Sequence, residues 1–195
     1  MKILIIEDGR LPSRKFRAGE KTLLIGIKLI DMRIENIICE EIDVDGLDAT
    51  EKAFKIVSKA MPIDLILLSG ISYAGFNLID AEKLWLEFKI PIIVISKDKP
   101  NNNEVLSALK KHFSDWKLRW NIIERVLSKS QGIHAIKVKP NENPIYVENI
   151  GISVDLAEKI LRKLTIWGKT PEPLRIAKII ARGLSQAYLK FKGKL

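Results

Sequence analysis

The chain has 195 residues with 33 Lys and Arg against 24 Asp and Glu, which gives a formal net charge of +9. Its 47% hydrophobic and 29% charged residues exclude a disordered, collagen-like or low-complexity protein, so one globular domain over residues 1–195 is expected. The single cysteine excludes an internal disulfide, and with only two histidines the common zinc-binding spacings are excluded as well. The positive charge favours a nucleic acid or another anionic partner.

Membrane insertion and export are not expected. The longest apolar runs, such as Pro91–Ile95, fall far below the roughly 20 residues that a membrane span requires. Charges at Lys2, Glu7 and Asp8 occupy positions where a signal peptide needs its apolar region. We therefore predict a cytoplasmic protein with no membrane partner.

The first part of the chain predicts three antiparallel strands. Lys2–Ile6 is an apolar run that ends at Asp8 and Gly9, as expected for a buried strand followed by a turn. Thr22–Asp31 and Arg33–Asp43 are rich in Ile and Leu, and the short break between them predicts a hairpin. Asp8 is thus expected at the end of the first strand.

The loop over Gly9–Lys21 is strongly basic. Its cations are Arg10, Arg14, Lys15 and Arg17. The loop leaves the same strand end as Asp8, so these side chains are placed to contact phosphates. A solvated loop without a partner is the alternative.

The rest of the chain alternates strands and helices, which is typical of parallel βαβ units. Strands are predicted at Asp64–Ser69 and Ile90–Ser96, and a small strand pair at Ile133–Lys139 and Ile145–Ile150. Helices are predicted from Asp48 to near Pro62 and at Leu78–Phe88, Glu104–Lys129, Asp155–Trp167 and Pro173–Leu189. This order resembles a ribonuclease H-like α/β fold, a mixed sheet of three antiparallel strands and then parallel βα units, flanked by helices.

Short motifs in the same order resemble endonuclease V. The most specific is Pro171–Arg175, Pro-Glu-Pro-Leu-Arg, and the strand that ends at Lys97 is a second. Gly70–Asn77 and Asp45–Thr50 resemble more closely a mainly archaeal protein family that is related to endonuclease V. The resemblance covers most of the chain and implies a nucleic-acid partner contacted by Lys97 and Arg175.

The resemblance also implies a metal site at the strand ends. Asp8 matches the metal-binding aspartate of the first strand, and Asp45 is the best match for the glutamate of the second. Ser69 stands where the third aspartate is expected, and Lys178 where a His or Asp is expected. Serine is a weak neutral ligand and an ammonium repels a divalent cation, so this site has lost negative charge.

Three functions follow from these residues. The first is an endonuclease V-like, nucleic-acid-associated protein with a degenerate metal site and weak or no cleavage, in which Lys178 pairs with Asp8 or Asp45. The second is an active Mg²⁺- or Mn²⁺-dependent endonuclease, with these ions as the only implied cofactors. In that case Glu7, Asp48 or Asp64 supplies the missing ligand, and Glu7 is the poorest substitute because alternation along a strand points it away from Asp8.

The third function is a scaffold or small-ligand module that uses Gly75, Phe76 and Asn77. Each feature also has a purely structural interpretation. Asp8 could serve only as a turn residue after a strand, and Asp45 could do the same in its own turn.

Overall fold

The computed structural model describes residues 1–12 and 19–193. The expected phosphate contacts of Arg14, Lys15 and Arg17 lie outside the described residues. The strands are β1 (Lys2–Asp8), β2 (Lys21–Ile30), β3 (Arg33–Asp43), β4 (Leu65–Leu68), β5 (Ser72–Tyr73), β6 (Asn77–Leu78), β7 (Ile92–Ser96), β8 (His134–Ile136) and β9 (Ile145–Ile150). The helices are α1 (Ala49–Ala60), α2 (Ala81–Phe88), α3 (Asn102–His112), α4 (Trp116–Lys129), α5 (Val154–Leu164) and α6 (Glu172–Phe191).

Seven strands form one mixed sheet in the order β3-β2-β1-β4-β7-β9-β8. The predicted antiparallel strands β1, β2 and β3 are confirmed, and β1, β4 and β7 run parallel. The last pair, β9 and β8, is antiparallel to its neighbours. The carboxyl ends of β1, β4 and β7 therefore lie side by side at one edge of the sheet.

Helices cover both faces of this sheet. Alternate residues of β1 point to opposite sides, so Leu4 and Ile6 pack with α1, α2 and α4, while Ile3 and Ile5 pack with α5 and α6. The near-continuous Ile and Leu of the central strands are the pattern expected of strands buried on both faces. No helix in residues 1–12 or 19–193 is long and apolar enough to cross a membrane.

Helix α6 lies close to the end of β1. A Cβ atom on Gly9 would come within 2.1 Å of the Ser185 Cβ, so only glycine permits this approach. The Ser185 hydroxyl also accepts a hydrogen bond of 2.6 Å from the Arg10 backbone N–H. The exposed face of α6 is thereby fixed next to the carboxylates at the end of β1.

Three predicted elements differ from the structure. The helix expected over Asp155–Trp167 ends at Leu164 and leaves Trp167 in a loop. The helix expected over Glu104–Lys129 is two helices, because Phe113 is extended and Asp115 begins α4 with its carboxylate on the Arg119 side chain. The helix expected from Leu78 begins at Ala81, because the residues before it form the short β5–β6 hairpin. This hairpin reaches the candidate site.

Candidate active site

Three side chains of the site come from adjacent strand ends. Glu7 and Asp8 are the last residues of β1, and Ser69 follows β4 directly. The pairing of Ile6 with Leu68 in the parallel β1–β4 ladder brings Ser69 beside Glu7. The sheet register alone therefore assembles two carboxylates and a hydroxyl at one point.

Two cavities open at this edge and share Glu7, Lys178 and Arg182 in their walls; we call them together the cleft. The first has a volume of about 370 Å³ and extends towards Lys97 and Thr170. The second, of about 410 Å³, is lined by Glu7, Asp8, Gly9, Arg10, Lys178 and Arg182. Glu7 and Asp8 thus border solvent-accessible space, although the Glu7 side chain itself is buried.

Cations surround this space. Arg175, Lys178 and Arg182 are exposed along α6, where spacings of three and four residues put them on one face. Lys97 enters from the end of β7, and Arg10 from the segment after β1. The cleft therefore combines a small acidic centre with a positively charged rim.

Glu7 is buried with only 6% of its surface exposed, and its Oε2 has no hydrogen-bond partner among the described residues. Burial, reinforced by the Asp8 charge, raises the pKa of Glu7 to about 7. The nearby Ser69 hydroxyl and Lys178 ammonium oppose that rise. A buried carboxylate oxygen without a partner marks a place where a cation or proton is needed.

Asp8 is held at its position by the backbone. Its Oδ2 accepts a hydrogen bond of 2.7 Å from the Ala74 N–H. Burial raises the pKa of Asp8, and the hydrogen bond from Ala74, a hydrogen bond with the Glu7 carboxyl and the charge of Lys178 counteract the increase. Tyr73, the residue before Ala74, is fully buried, and its hydroxyl donates to the Gly70 carbonyl at 3.0 Å.

Asp45 meets the same turn from the other side. Its Oδ1 accepts from the Phe76 N–H at 2.8 Å, and its own N–H donates to the Ala74 carbonyl at 2.8 Å. The carboxylate lies over Gly75, whose φ of +89° and lack of a Cβ make room for it. Asp45 does not line either cavity of the cleft.

Arg119 fixes the geometry of this turn. Its buried guanidinium donates to the carbonyls of Asp45 at 2.9 Å, Gly46 at 2.9 Å and Phe76 at 2.6 Å, and it also pairs with Asp115. One side chain of α4 thus connects the segment after β3 to the β5–β6 hairpin.

The other expected site residues have structural roles. The Asp48 Oδ1 accepts from the Asn77 side chain at 2.6 Å, and the Asp64 Oδ2 accepts from the Lys2 N–H at the opposite end of the sheet. Asn77 is fully buried, and its Oδ1 accepts from the Ala49 N–H at the start of α1. Neither Asp48 nor Asp64 supplies a third ligand to the cleft, and Asn77 is not available to a ligand.

Phe76 and Gly75, expected with Asn77 in a ligand site, lie away from the cleft walls. Phe76 stacks edge-on against Phe113 and borders a separate cavity of about 230 Å³. Gly75 is exposed and carries the turn under Asp45.

The positions of Glu7 and Lys178 differ from those expected from the sequence. Glu7 faces α6, as alternation requires, but both Glu7 and Asp8 border the second cavity because Asp8 is the last residue of the strand. Lys178 acts electrostatically on both carboxylates, yet none of the ion pairs within residues 1–12 and 19–193 joins it to Asp8 or Asp45. The expected salt bridge in place of the metal is therefore not formed.

The donor set decides which metal site fits. Among the described residues, no three His, Cys, Asp or Glu side chains form a metal-binding group. A pair of cations sharing several carboxylates does not fit this cleft. One divalent cation fits better, because Glu7 and Asp8 provide two carboxylates. The Glu7 Oε2 has no hydrogen-bond partner in the described part of the chain, and a cation would neutralise its charge.

Two parts of the site escape sequence reasoning. Arg182 lines both cavities but lies outside the motifs, although its spacing of four residues from Lys178 predicts a shared helix face. The contact of Ala74 with Asp8 has no sequence signal, since a backbone N–H carries no residue identity.

Solved structures share the fold. A protein of unknown function from Archaeoglobus fulgidus superposes with a TM-score of 0.76 at 32% identity, covering 92% of this chain and 95% of that one. Endonuclease V of Ciona intestinalis, in complex with DNA containing an inosine, gives a TM-score of 0.59 at 16% identity, covering 97% and 86%. Human endonuclease V gives 0.57 at 10% identity, covering 98% and 85%. The fold is therefore the ribonuclease H-like fold of endonuclease V.

Sequence comparison then identifies the family. A family model described as Endonuclease dU matches residues 1–185. A UPF0215 protein of Methanosarcina acetivorans is 34% identical over 188 residues, covering 94% of this chain and 90% of the relative. A UPF0215 protein of Pyrococcus furiosus is 35% identical over 185 residues, covering 93% and 90%. The chain belongs to the Endonuclease dU family, which confirms the predicted relationship to an archaeal family akin to endonuclease V.

Proposed function

We propose that this chain is a metal-dependent endonuclease that binds DNA in the cleft and hydrolyses a phosphodiester bond near a deoxyuridine. The observation that carries the proposal is the pair Glu7 and Asp8 in the wall of a cavity with a cationic rim, with the Glu7 Oε2 buried and without a hydrogen-bond partner among the described residues. The family description, Endonuclease dU, suggests deoxyuridine as the substrate. Glu7 supplies the second carboxylate of the cleft, although alternation along β1 makes it the poorest candidate from sequence alone.

Glu7 and Asp8 would hold one Mg²⁺ or Mn²⁺, with Ser69 as a neutral neighbour. Such an ion supplies Lewis-acid polarisation of the phosphate and a water of lowered pKa. The water oxygen would bond to phosphorus, one P–O bond to a sugar oxygen would break, and a proton from the water would pass to that oxygen, so the products are one strand with a terminal phosphate and one with a terminal hydroxyl. Asp8 is kept in place for this reaction by the Ala74 N–H.

The cations around the cleft bind the DNA backbone. Arg175 and Arg182 on α6, with Lys97 and Arg10 on either side, present donors to phosphate oxygens without reading the sequence. Lys178 stands between the carboxylates and this rim, where its ammonium can stabilise the negative charge that develops on the attacked phosphate. Because the relatives are archaeal and lack a nucleus, we propose the cytoplasm as the compartment.

A cleavage assay tests the proposal. A duplex with one deoxyuridine, an otherwise identical duplex with thymidine, and single strands of both are incubated with protein in Mn²⁺, Mg²⁺ or EDTA. Metal-dependent nicking of the deoxyuridine substrates that is lost in Asp8→Asn supports the proposal. Cleavage that persists in Asp8→Asn shows a contaminating nuclease and contradicts it.

DNA binding with weak or no cleavage is a second candidate, and the placement of Lys178 favours it. An ammonium close to Glu7 and Asp8 partly neutralises them and weakens their hold on a cation. This candidate predicts binding in EDTA that resembles the binding in Mn²⁺, together with no nicking of any substrate. Under this candidate, the Lys178→Met variant also shows no cleavage. Under the first proposal, wild type cleaves the deoxyuridine substrate and Lys178→Met changes the rate of that cleavage.

A further inference from the structure

We infer that Trp167, in the loop between α5 and α6, is a stacking platform for a nucleobase of the strand whose phosphates occupy the cleft. This inference rests on the proposed DNA binding. Trp167 is 74% exposed and its neighbour Ile166 is 58% exposed. Large apolar side chains held in water at adjacent positions indicate an interaction surface, because a folded chain gains nothing from exposing them.

The loop that presents Trp167 is firmly anchored. The Arg175 Nη2 donates to the Trp167 carbonyl at 2.8 Å, and the Trp167 N–H donates to the Glu172 Oε1 at 3.4 Å. The Lys169 Nζ donates to the Lys97 carbonyl at 2.7 Å, which ties the loop to the end of β7. The indole is therefore displayed from a fixed backbone, so binding does not require the loop itself to be ordered.

The same contacts place the Trp167 backbone beside residues that line the cleft. Arg175 binds the Trp167 backbone and also lines the first cavity, and so does Lys97, which the loop contacts through Lys169. Ile179, one turn further along α6, is 68% exposed and lines this cavity as well. The first cavity thus has an exposed apolar side chain, Ile179, among its cationic lining residues.

The positive charge of this surface favours a nucleic acid as its ligand. Arg175, Lys178 and Arg182 carry positive charge beside the apolar residues, which suits an anionic chain with aromatic rings. Single-stranded DNA has both features, since its phosphates meet the cations while a base stacks on the indole. A second copy of this chain is disfavoured, because it would bring the same cations against one another.

The test measures binding separately from cleavage. A labelled single-stranded oligodeoxythymidylate is titrated in EDTA with wild type, Trp167→Ala, Trp167→Phe and the control Leu118→Ala. Leu118 is 60% exposed on α4, on the other face of the sheet. We expect Trp167→Ala to bind about tenfold more weakly, with an unchanged salt slope, because stacking contributes without counterion release. Trp167→Phe and Leu118→Ala should bind nearly as well as wild type.

Fluorescence supplies a readout that a merely structural role would not change. Stacking should quench the indole emission of wild type on titration, and this part of the quenching should be missing in Trp167→Phe. Equal affinities of wild type and Trp167→Ala would overturn the inference while leaving the proposed function in place. An absence of binding by wild type in EDTA and in Mn²⁺ alike would instead overturn the proposed function. A wild type that is dimeric by light scattering and a monomeric Trp167→Ala would show that the occupant is a second copy and would also overturn the inference.

Discussion

Asp8 and Asp45 accept hydrogen bonds from the two ends of one turn. The Ala74 N–H donates to Asp8 at 2.7 Å and the Phe76 N–H donates to Asp45 at 2.8 Å. Two carboxylates, one at the end of β1 and one in the segment after β3, are therefore aligned by a hairpin only a few residues long. Asp8 opens into the cleft, whereas Asp45 secures the turn that holds Asp8 in place.

The first prediction separates the two aspartates. Asp8→Asn should lower deoxyuridine-dependent cleavage by more than about a hundredfold, because it removes a proposed ligand rather than a supporting partner. Asp45→Asn should lower cleavage less and should reduce stability, since its carboxylate serves the turn. Single-turnover cleavage and urea denaturation of both variants check this. A larger loss of cleavage in Asp45→Asn would contradict the assignment.

Arg119 is predicted to hold this turn together. Its guanidinium is 4% exposed and binds three backbone carbonyls as well as Asp115. Arg119→Met should lower the free energy of unfolding by about 3–5 kcal/mol, because several buried acceptors lose their donor. Urea denaturation measures this loss. A loss below about 1 kcal/mol, the size expected of an exposed ion pair, would contradict the role.

Arg182 is predicted to contact a phosphate. Arg182→Gln should weaken DNA binding and reduce the slope of log K against log salt by about 1. Lys111→Gln is the control, because Lys111 is exposed on α3 away from the cleft. Fluorescence anisotropy over a salt series measures both slopes. Equal slopes for wild type and Arg182→Gln would contradict the placement of DNA along α6.

Glu148 predicts a pH dependence of stability. Burial raises its pKa from 4.5 to about 7, so the folded protein binds this proton more tightly than the unfolded chain. The resulting stabilisation is fully present below about pH 4.5 and is lost as the pH rises through about 7. Relative to Glu148→Gln, wild type should therefore lose up to about 3 kcal/mol between these values. Urea denaturation at several pH values checks this, and parallel curves would contradict it.

Much of the fold could be predicted from the sequence. Continuous Ile and Leu runs predict the buried central strands, and the end of the first run predicts Asp8 at a strand terminus. The β5–β6 hairpin could not be predicted, because two-residue strands show no periodicity and the turn contains Ala74 with φ of +46° rather than a second glycine. The break between α3 and α4 could not be predicted, because the apolar stripe of the sequence continues across it.

The candidate site was predictable only in part. Asp8 and Ser69 could be placed at the same edge because they stand at strand ends, and Lys178 could be placed there by its position in the motif. The sequence ranks Glu7 as the poorest substitute ligand, because alternation along a strand predicts only which face of the sheet a side chain takes. It does not predict where a cleft opens at the end of the strand. The exposure of Trp167 is likewise a tertiary property, and the local pattern places the residue simply at the end of a helix.

The most direct measurement of the central claim is the anomalous diffraction of crystals soaked in Mn²⁺. The account predicts one anomalous peak coordinated by the Glu7 Oε2 and Asp8, with Lys178 outside the coordination shell. A cleft without a peak, in which the Lys178 ammonium contacts both carboxylates, would contradict metal-dependent cleavage and favour DNA binding alone.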